Sequence, residues 1–364
     1  MRIDAVELSD FRNFHNISFS PAPGLNVIAG ANAQGKSNLL EGLSLLAVGR
    51  SFRGARPPDL SCWDTQGPAV LRGELHRGDA VVGLRRVVHR REDGVWGISG
   101  ESCAWARVVP FAWQDLGIVH GGPQARRDFL DGFTGKLYPA HLRAWVRYRQ
   151  VVARRNHLLQ SGYAGGDGSA RLEPWNEQVV QVGLELLARR MDAVAAIERE
   201  LARVYPELAG RGIVRLKYRS SLGDSVSADR FRAALAETAR EEARRGMTLA
   251  GPHRDDLAIE LDGRDLRVFG SRGQQRLMAL ALRLAERRPV EEAVGSPPIL
   301  LLDDALSELD PGARGRVLRH VADAGQVFLS TADRDLGEHS EAVWWHVSAG
   351  RITCSEMAAA RGAA

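Results

Sequence analysis

Hydrophobic and polar residues alternate over residues 2–9, which is the pattern of a half-buried β-strand. The largely apolar segment 24–30 then runs into a loop, and apolar positions over 38–46 recur at helical spacing. The first part of the chain is therefore predicted to hold a strand, a glycine-containing loop and a helix in direct succession.

The middle of the chain changes from strand patterns to helix patterns. Residues 68–111 predict several strands, with turns at Arg77-Gly78-Asp79 and Glu92-Asp93-Gly94. From about residue 123, long stretches rich in arginine, alanine and leucine follow helical spacing. The predicted helices lie at roughly 138–160, 175–204 and 227–245. The glycine-rich segment 161–169 separates the first two helices, so we expect them to form an antiparallel hairpin.

Strand patterns return near the C-terminus, at 257–262, 298–302 and 326–330, with a helix predicted at about 273–288. The sequence contains no internal repeat. The simplest architecture is one α/β domain formed by 1–112 and 246–364, with 113–245 inserted as a mainly helical lobe.

Composition adds limits to this organisation. The 364 residues suffice for about two domains, and a hydrophobic fraction of 44% supports a core. We expect disorder only in the small-residue tail 357–364. The net charge of +4 and pI of about 9.2 are compatible with nucleic-acid binding without establishing it.

Cys62, Cys103 and Cys354 are widely spaced and include no Cys-x-x-Cys, so neither a disulfide framework nor a structural zinc site is expected. The N-terminus has no signal-like apolar region, and no uncharged segment reaches transmembrane length. The sequence indicates a cytosolic protein without a membrane partner.

A complete P-loop follows the second predicted strand: Gly30, Ala31, Asn32, Ala33, Gln34, Gly35, Lys36 and Ser37. Glycines at its two ends permit the tight backbone path that turns N–H groups toward phosphates. Lys36 is expected to reach the β- and γ-phosphates, and the Ser37 hydroxyl is expected to bind magnesium. The predicted strand and helix on either side supply the context that this motif requires.

The apolar segment 299–302 ends in Asp303 and Asp304, as a buried parallel strand with carboxylates at its C-terminal edge would. Asp303 is expected to hold the magnesium shell, and Asp304 to polarise the attacking water. An acidic turn without function is the alternative for this dipeptide alone, but the P-loop upstream favours the functional interpretation.

A third motif, Ser271-Arg272-Gly273-Gln274-Gln275, begins a predicted helix. Ser271 suits an N-cap, and Gly273 permits close approach of a phosphate to the helix N-terminus. An ordinary capped helix is the alternative. The position of the motif, 32 residues before Asp303, favours a role with nucleotide.

Together these motifs resemble the RecF family of ATP-binding-cassette ATPases, which have an SMC-like head. The resemblance covers about residues 2–335 and omits the tail. The matching segments are Phe11-Arg12-Asn13-Phe14, the P-loop with Asn38-Leu39-Leu40-Glu41, Ser51-Phe52-Arg53, Gly121-x-Pro123-x-x-Arg126-Arg127-x-Phe129-Leu130-Asp131, Arg155-Asn156, Gly251-Pro252-His253-Arg254-Asp255-Asp256, Ser271-Arg272-Gly273-Gln274 and Leu302-Asp303-Asp304.

The resemblance implies an α/β ABC-type ATPase head with mixed β-sheets (lobe I) and an inserted helical lobe (lobe II). It implies an ATP- and Mg²⁺-dependent homodimer with weak, DNA-stimulated hydrolysis. Such a dimer would bind double-stranded DNA at single-strand gaps, with RecR-like and RecO-like partners, and would help to load a strand-exchange protein.

The resemblance also implies roles for individual residues. Gln114 would contact magnesium and water as a catalytic residue beside Asp304 and Lys36. The signature residues Ser271, Gly273 and Gln274 would contact the γ-phosphate held by the opposite protomer. Asp310 would lie in the D-loop at the interface, and Asn38 would complete the nucleotide-binding set.

Two positions predict slow hydrolysis. The last predicted strand ends in Ser330-Thr331-Ala332-Asp333, without the histidine that many cassette ATPases have there. Asp304 is one methylene shorter than the usual glutamate. Slow hydrolysis suits a switch better than a motor.

DNA contacts are predicted on one helix face. Arg143, Arg147 and Arg154 lie close together on the helix 138–160, and a solvated face is the alternative for each of them. The second long helix carries further positive charge, from Arg189, Arg190, Arg199 and Arg203. Nothing resembles a base-reading module. His253 is expected to belong to a structural turn.

Two other functions were weighed. In the nucleotide-binding subunit of a membrane transporter, the signature would follow the P-loop far more closely than the 235 positions between Lys36 and Ser271. A structural DNA clamp that binds ATP but hardly turns it over is not excluded by the motifs, because the residues for binding and hydrolysis overlap. An SMC-type coiled-coil arm is disfavoured, since the inserted helices lack sustained heptads.

Overall fold

The computed structural model describes residues 1–65, 67–161, 168–333, 336 and 342–355. Most of the predicted linker 161–169 and the whole tail 357–364 lie outside these residues.

The described chain contains fourteen strands and eleven α-helices. The strands are β1 (Arg2–Phe11), β2 (Phe14–Phe19), β3 (Leu25–Ala29), β4 (Ala69–Arg77), β5 (Ala80–Arg90), β6 (Trp96–Gly100), β7 (Val108–Phe111), β8 (Val214–Arg219), β9 (Asp256–Leu261), β10 (Arg264–Asp265), β11 (Ile299–Leu302), β12 (Val327–Thr331), β13 (Val343–Ser348) and β14 (Arg351–Ser355). The helices are α1 (Lys36–Val48), α2 (Pro57–Leu60), α3 (Leu116–His120), α4 (Pro123–Leu137), α5 (Pro139–Gln160), α6 (Gly168–Ala209), α7 (Ala228–Arg245), α8 (Leu266–Phe269), α9 (Arg272–Ala285), α10 (Arg287–Val294) and α11 (Pro311–Ala322).

The chain divides into two compact units. The first comprises Met1–Leu116, Val204–Arg211 and Arg276–Ala364, and the second comprises Gly117–Arg203 and Gly212–Gln275. The predicted end of the insertion at residue 245 therefore needs correction. Strand β8 pairs with β9 along its whole length, so backbone hydrogen bonds hold residues after 246 in the second unit.

The first unit contains two sheets. Strands β2-β1-β4-β5-β6 form an antiparallel sheet, and strands β14-β13-β3-β12-β11-β7 form a mixed one. In the mixed sheet β3, β12, β11 and β7 run parallel, and β3, β11 and β12 are buried at every position. Such continuous burial is typical of parallel strands that are covered on both faces. The carboxyl ends of these strands meet at one edge, where ligands bind in open α/β sheets.

The second unit combines helices with the small antiparallel sheet β10-β9-β8. Arg155 Nε, near the end of α5, donates to Asn176 Oδ1 of α6 at 2.8 Å, whereas the earlier Tyr148 lies beside the later Gly183. The two helices are therefore antiparallel neighbours. Gly183 of α6 permits the close approach, since a Cβ there would lie 2.6 Å from Phe231 and 3.3 Å from Tyr148. The predicted helical hairpin is confirmed.

Buried ion pairs hold the second unit together. Arg190 is 2% exposed, and its guanidinium donates to both carboxylate oxygens of Asp131 at 2.8 Å. His141 contacts the same carboxylate at 2.9 Å. Burial opposes ionisation of Asp131, but these partners outweigh it and keep the carboxyl pKa below its ordinary value.

Several elements escaped prediction from the sequence. They include β2, β8, α4, α11, β13 and β14, and the single helix predicted at 273–288 consists of α9 and α10, which are separated at Glu286. Helix α6 extends beyond both of its predicted ends. None of the helices in the described part of the chain combines the length and apolarity that crossing a membrane requires.

Replacement of Asp131 tests the importance of the buried pair. Asp131→Asn leaves the Arg190 cation buried without a counter-charge, so we expect the free energy of unfolding to fall by about 3–5 kcal/mol at neutral pH. The pKa of Asp131 is lower in the folded state than in the unfolded state. The contribution of the buried pair to stability is therefore fully present above the unfolded-state pKa of Asp131, and it is lost as pH falls through the folded-state pKa. Urea unfolding at several pH values measures both effects.

The matched control is Glu185→Gln, which breaks the partly exposed ion pair with Arg189 on the same helix. That loss should cost less than about 0.5 kcal/mol. Equal destabilisation by the two variants would contradict the assigned role of the buried pair.

Candidate nucleotide site

The P-loop leaves the carboxyl end of β3 and enters α1 at Lys36. Its path requires unusual backbone angles, with φ at 64° for Ala33 and 106° for Gly35. At Gly30 a Cβ would lie 2.3 Å from the Val347 carbonyl oxygen of β13, so only glycine fits. The loop is therefore shaped by the neighbouring strand as well as by its own sequence.

Two serines converge on Asp303, which follows β11 directly. The Ser37 hydroxyl donates to Asp303 Oδ1 at 2.8 Å, and the Ser330 hydroxyl donates to the same oxygen at 2.7 Å. The Ser330 Oγ also accepts the Asp304 N–H at 2.9 Å. The ends of β11 and β12 and the start of α1 are thus joined at one carboxylate.

The donor set at this point fits magnesium. Mg²⁺ takes oxygen ligands at 2.0–2.1 Å in octahedral geometry, which places neighbouring ligand oxygens about 2.9 Å apart. The observed separation of 2.8 Å between Ser37 Oγ and Asp303 Oδ1 agrees with this spacing. Ser37 and Asp303 are the residues that would hold the ion.

The Lys36 ammonium lies inside the P-loop. Its Nζ donates to the carbonyl oxygens of Gly30 at 2.7 Å and Ala31 at 2.9 Å. Burial lowers the lysine pKa, and the negative charges of Asp304 and Asp303 oppose that shift. The charge is held at the place where a P-loop lysine meets phosphate oxygens.

Asp304 has a left-handed backbone, with φ at 51°, and an exposed side chain. Strained φ/ψ values at non-glycine residues cluster at functional sites. Arg276 fixes the loop, because its guanidinium donates to the Asp304 carbonyl oxygen at 2.6 Å and also to Ser307 Oγ. The sequence analysis did not single out Arg276, although it directly follows the signature motif.

Gln114 lies in a 3-10 turn, Trp113–Asp115, just after β7. Strand β7 is parallel to β11, and the Asp303 N–H donates to the Phe111 carbonyl oxygen at 2.8 Å. Gln114 therefore emerges at the same sheet edge as Asp303, with an exposed side chain. Arg283 holds the turn through a 2.6 Å contact with Asp115.

The tip of the β1–β2 hairpin contacts the P-loop. Asn13 Nδ2 donates to the Gln34 carbonyl oxygen at 3.1 Å, and Asn38 Nδ2 donates to Asn13 Oδ1 at 2.8 Å. The Arg12 guanidinium donates two hydrogen bonds, of 2.9 and 3.0 Å, to the carboxylate of the fully buried Glu41 in α1. The sequence analysis quoted these residues as matching segments but missed this role, because the contacts join the hairpin to a loop and a helix more than 20 positions away.

Some predicted cofactor-binding residues already have partners within the chain. Asn38 Oδ1 accepts from Arg53 at 2.9 Å, and Gln34 Oε1 accepts the Ala349 N–H at 2.8 Å. Asp310 caps α11, accepting the Ala313 N–H at 2.9 Å. Their contacts with nucleotide remain predictions.

The signature motif lies in the second unit, with Ser271, Gly273 and Gln274 all exposed. Ser271 and Gln274 cap each other: the Ser271 N–H donates to Gln274 Oε1 at 2.9 Å, and the Gln274 N–H to Ser271 Oγ at 3.3 Å. This is a capping box, so the predicted N-cap is confirmed. A Cβ at Gly273 would have no atom within 4 Å, so packing within the chain does not require glycine there.

The DNA contacts of helix α5 stay a prediction. Arg143, Arg147 and Arg154 are exposed on α5, and the Arg154 guanidinium lies 5.6 Å from the Trp175 ring centroid. Arg190 of the neighbouring helix was wrongly included among the accessible charges, because it is buried against Asp131.

His253 has a packing role. Its two ring nitrogens contact Tyr148 Oη at 2.8 Å and the Thr248 carbonyl oxygen at 3.0 Å. Burial lowers the pKa of the imidazole to about 4, so it is neutral at physiological pH.

Comparison with known proteins places this geometry in a family. The model of the RecF/RecN/SMC N-terminal domain matches residues 2–349. The DNA replication and repair protein RecF of Heliobacterium modesticaldum is 39% identical over 350 residues, which cover 91% of this chain and 92% of that protein. RecF of Desulforudis audaxviator is 36% identical, with 92% and 95% covered.

Solved structures agree with this assignment. A structure of the recombination mediator protein RecF with ATP, from the RecFOR pathway, has a TM-score of 0.85 and 27% identity, with 97% of each chain covered. An Smc head bound to the C-terminal winged-helix domain of ScpA has a TM-score of 0.57 and 16% identity over 98% and 97% of the chains, which supports the fold alone. The fold is that of an ABC-type ATPase head, and the chain belongs to the RecF family.

Proposed function

We propose that this protein is an ATP-dependent DNA-binding switch that acts in DNA replication and repair. The observation that carries the proposal is the convergence of Ser37 and Ser330 on Asp303, which joins the P-loop to the acidic strand end. A relative of similar fold is named as RecF with ATP in the RecFOR pathway.

The geometry of the first unit supports the proposed nucleotide-binding roles. The backbone N–H groups of Gly30 to Ser37 surround the phosphates, and Lys36 exchanges its two carbonyl partners for phosphate oxygens. Ser37, Asp303 and Gln114 would hold Mg²⁺, which would neutralise phosphate charge. Asp304 orients the attacking water.

A second protomer completes the site. Ser271, Gly273 and Gln274 are exposed at the start of α9, where the positive end of the helix dipole favours an anion. Among the described residues nothing lies within 4 Å of a Cβ built at Gly273, so another molecule has room to approach the backbone there. We propose that the γ-phosphate held by another copy of the chain is that ligand, and that Asp310 lies beside it.

Slow hydrolysis makes the dimer a timed switch. Asp304 has the shorter carboxylate side chain, and Thr331 and Asp333 stand near the end of β12 where a histidine would assist. The Asp333 carboxylate already has a partner within the chain, because it accepts a hydrogen bond from Arg314 at 3.0 Å. Hydrolysis then separates the protomers and releases DNA.

Double-stranded DNA is the proposed polyanion, bound through phosphates by Arg143, Arg147 and Arg154. Single-strand gap junctions are the proposed target in the cytoplasm, with RecR-like and RecO-like partners that help to load a strand-exchange protein. This extends to the present chain the pathway that is named for its structural relative.

The switch model predicts the behaviour of Asp304→Asn. The amide preserves the size of the side chain but cannot polarise water, so ATP should hold the variant as a dimer for at least ten times longer, a change of about 1.4 kcal/mol in the barrier. Light scattering after gel filtration with ATP, combined with single-turnover hydrolysis, measures both properties. Lys36→Met should stay monomeric, and the exposed Asp323→Asn should behave as wild type. If the Asp304→Asn variant remained monomeric at saturating ATP, the switch model would be wrong.

The shared site predicts a separation of binding from dimerisation at Gly273. Gly273→Gln adds bulk at an open helical position, so ATP affinity of the monomer should stay within about twofold while the ATP-induced dimer is lost. The matched control is Gly132→Gln, also a helical position at which a Cβ meets nothing within 4 Å. Titration with ATP and sedimentation velocity provide the two readouts. Normal dimerisation of Gly273→Gln would exclude the proposed role of the signature.

DNA binding through phosphates predicts a change in salt dependence. Replacing Arg143, Arg147 and Arg154 together by glutamine should reduce the slope of log affinity against log salt by about 2–3, since each phosphate contact contributes about 0.9. A triple glutamine variant of the exposed Arg240, Arg244 and Arg245 on α7 is the control. Fluorescence anisotropy with gapped duplex DNA and ATP measures the slopes. An unchanged slope would remove the α5 face from the DNA interface.

A further inference from the structure

Three metal-binding side chains from distant parts of the sequence meet at one point of the first unit. Ligand atoms of His15, Cys62 and Asp64 all lie within 4.8 Å of one another. The Cys62 Sγ and the His15 Nδ1 are 3.9 Å apart. None of these residues takes part in the nucleotide site, and the sequence analysis expected no structural zinc, because the cysteines have no Cys-x-x-Cys spacing.

Asp10 lies beside His15 and is a candidate for a fourth ligand. The flanking pairs Ser9–Asn16 and Phe11–Phe14 of the β1–β2 hairpin place Asp10 opposite His15. The Asp10 Oδ1 lies 3.7 Å from the His15 Nδ1. Nitrogen, sulfur and one carboxylate therefore lie within reach of a single ion, and the Asp10 carboxylate lies next to the nitrogen.

The backbone holds this cluster in place. The Cys62 N–H donates to the Asp10 carbonyl oxygen at 2.8 Å, and the Arg12 N–H donates to the Leu60 carbonyl oxygen at 3.0 Å. A bridge between Phe11 and Ser61 lies between these bonds. The hairpin and the segment after α2 are thus fixed to each other at these positions.

The distances and chemistry point to zinc. Tetrahedral Zn²⁺ binds sulfur at about 2.3 Å and nitrogen at about 2.0 Å, which places those two ligand atoms about 3.5 Å apart. The observed 3.9 Å requires a contraction of a few tenths of an ångström. A thiolate and an imidazole suit borderline and soft cations, whereas Mg²⁺ takes oxygen ligands.

We propose that His15, Cys62 and Asp64, with Asp10 as the fourth ligand, form a Zn²⁺ site that clamps the β1–β2 hairpin to the segment after α2. Cys62 is a free, buried thiol, and His15 and Asp64 reach it from the exposed side. The ion would cross-link a hairpin whose tip, at Arg12 and Asn13, contacts α1 and the P-loop. The site is independent of the proposed switch and is testable without ATP.

The test is metal binding by the full-length, untagged chain after chelator treatment and buffer exchange. We expect one Zn²⁺ per chain in a competition titration, unaffected by millimolar Mg²⁺. Co²⁺ should give a thiolate charge-transfer band and the intense visible bands of tetrahedral coordination. Zinc should also raise the Tm of the wild-type protein by a few degrees, because it binds the folded state.

Single substitutions test which side chains bind the zinc ion. His15→Asn changes an exposed side chain and should weaken zinc binding by about 100-fold or more, as expected for loss of one direct ligand. Cys62→Ser should abolish the charge-transfer band, and the exposed Cys354→Ser is the matched control that should keep it. ATP affinity of His15→Asn, measured in metal-free buffer, should equal that of wild type and so verifies a folded nucleotide site.

Two results would overturn the proposal. One is a wild-type chain that takes up no zinc at micromolar concentration. The other is a His15→Asn variant that binds zinc and gives the cobalt spectrum as wild type does. The first result is obtained with the wild-type protein, and the second with a substitution of an exposed side chain, so neither can be attributed to a failure to fold.

Discussion

The structure of the nucleotide site depends on one carboxylate oxygen. Asp303 Oδ1 accepts hydrogen bonds from both Ser37 and Ser330, and it lies at the end of a fully buried strand. A carboxylate in this position needs such donors, because an unpaired buried charge is very costly. The requirement brings the P-loop helix and the ends of two parallel strands together, and it leaves the neighbouring Asp304 facing outward.

The local parts of this site could be predicted from the sequence, since their information is local. The P-loop, the strand before Asp303 and the Ser271 cap each need only a short segment with the right residues, and the capping box and the buried strand are confirmed. The helical hairpin of α5 and α6 also followed from spacing, because a break between two long amphipathic segments leaves few other arrangements.

The parts that escaped prediction depend on contacts between distant residues. Adjacent Arg189 and Arg190 have the same chemistry, yet only the packing of α6 decides that one is partly exposed and the other buried against Asp131. Arg276 is not distinguishable from other helix arginines until the loop after β11 lies beside it. His15 and Cys62 are 47 positions apart and meet only through strand pairing. The end of the inserted lobe was misplaced for the same reason, since β8 and β9 are joined by pairing rather than by proximity in sequence.

The neighbours of strand β3 have a consequence for synthesis of the protein. The strand that delivers the P-loop is flanked by β12 and β13, whose residues come from the last part of the chain, with Leu25 opposite Val327 and Asn26 opposite Val343. A nascent chain on the ribosome therefore carries a P-loop strand with neither of its sheet neighbours for most of translation. Pairing over such separations is slow, and it leaves a largely apolar strand exposed to aggregation in the meantime. The sheet around the P-loop strand is thus completed only once synthesis of the chain has passed β13.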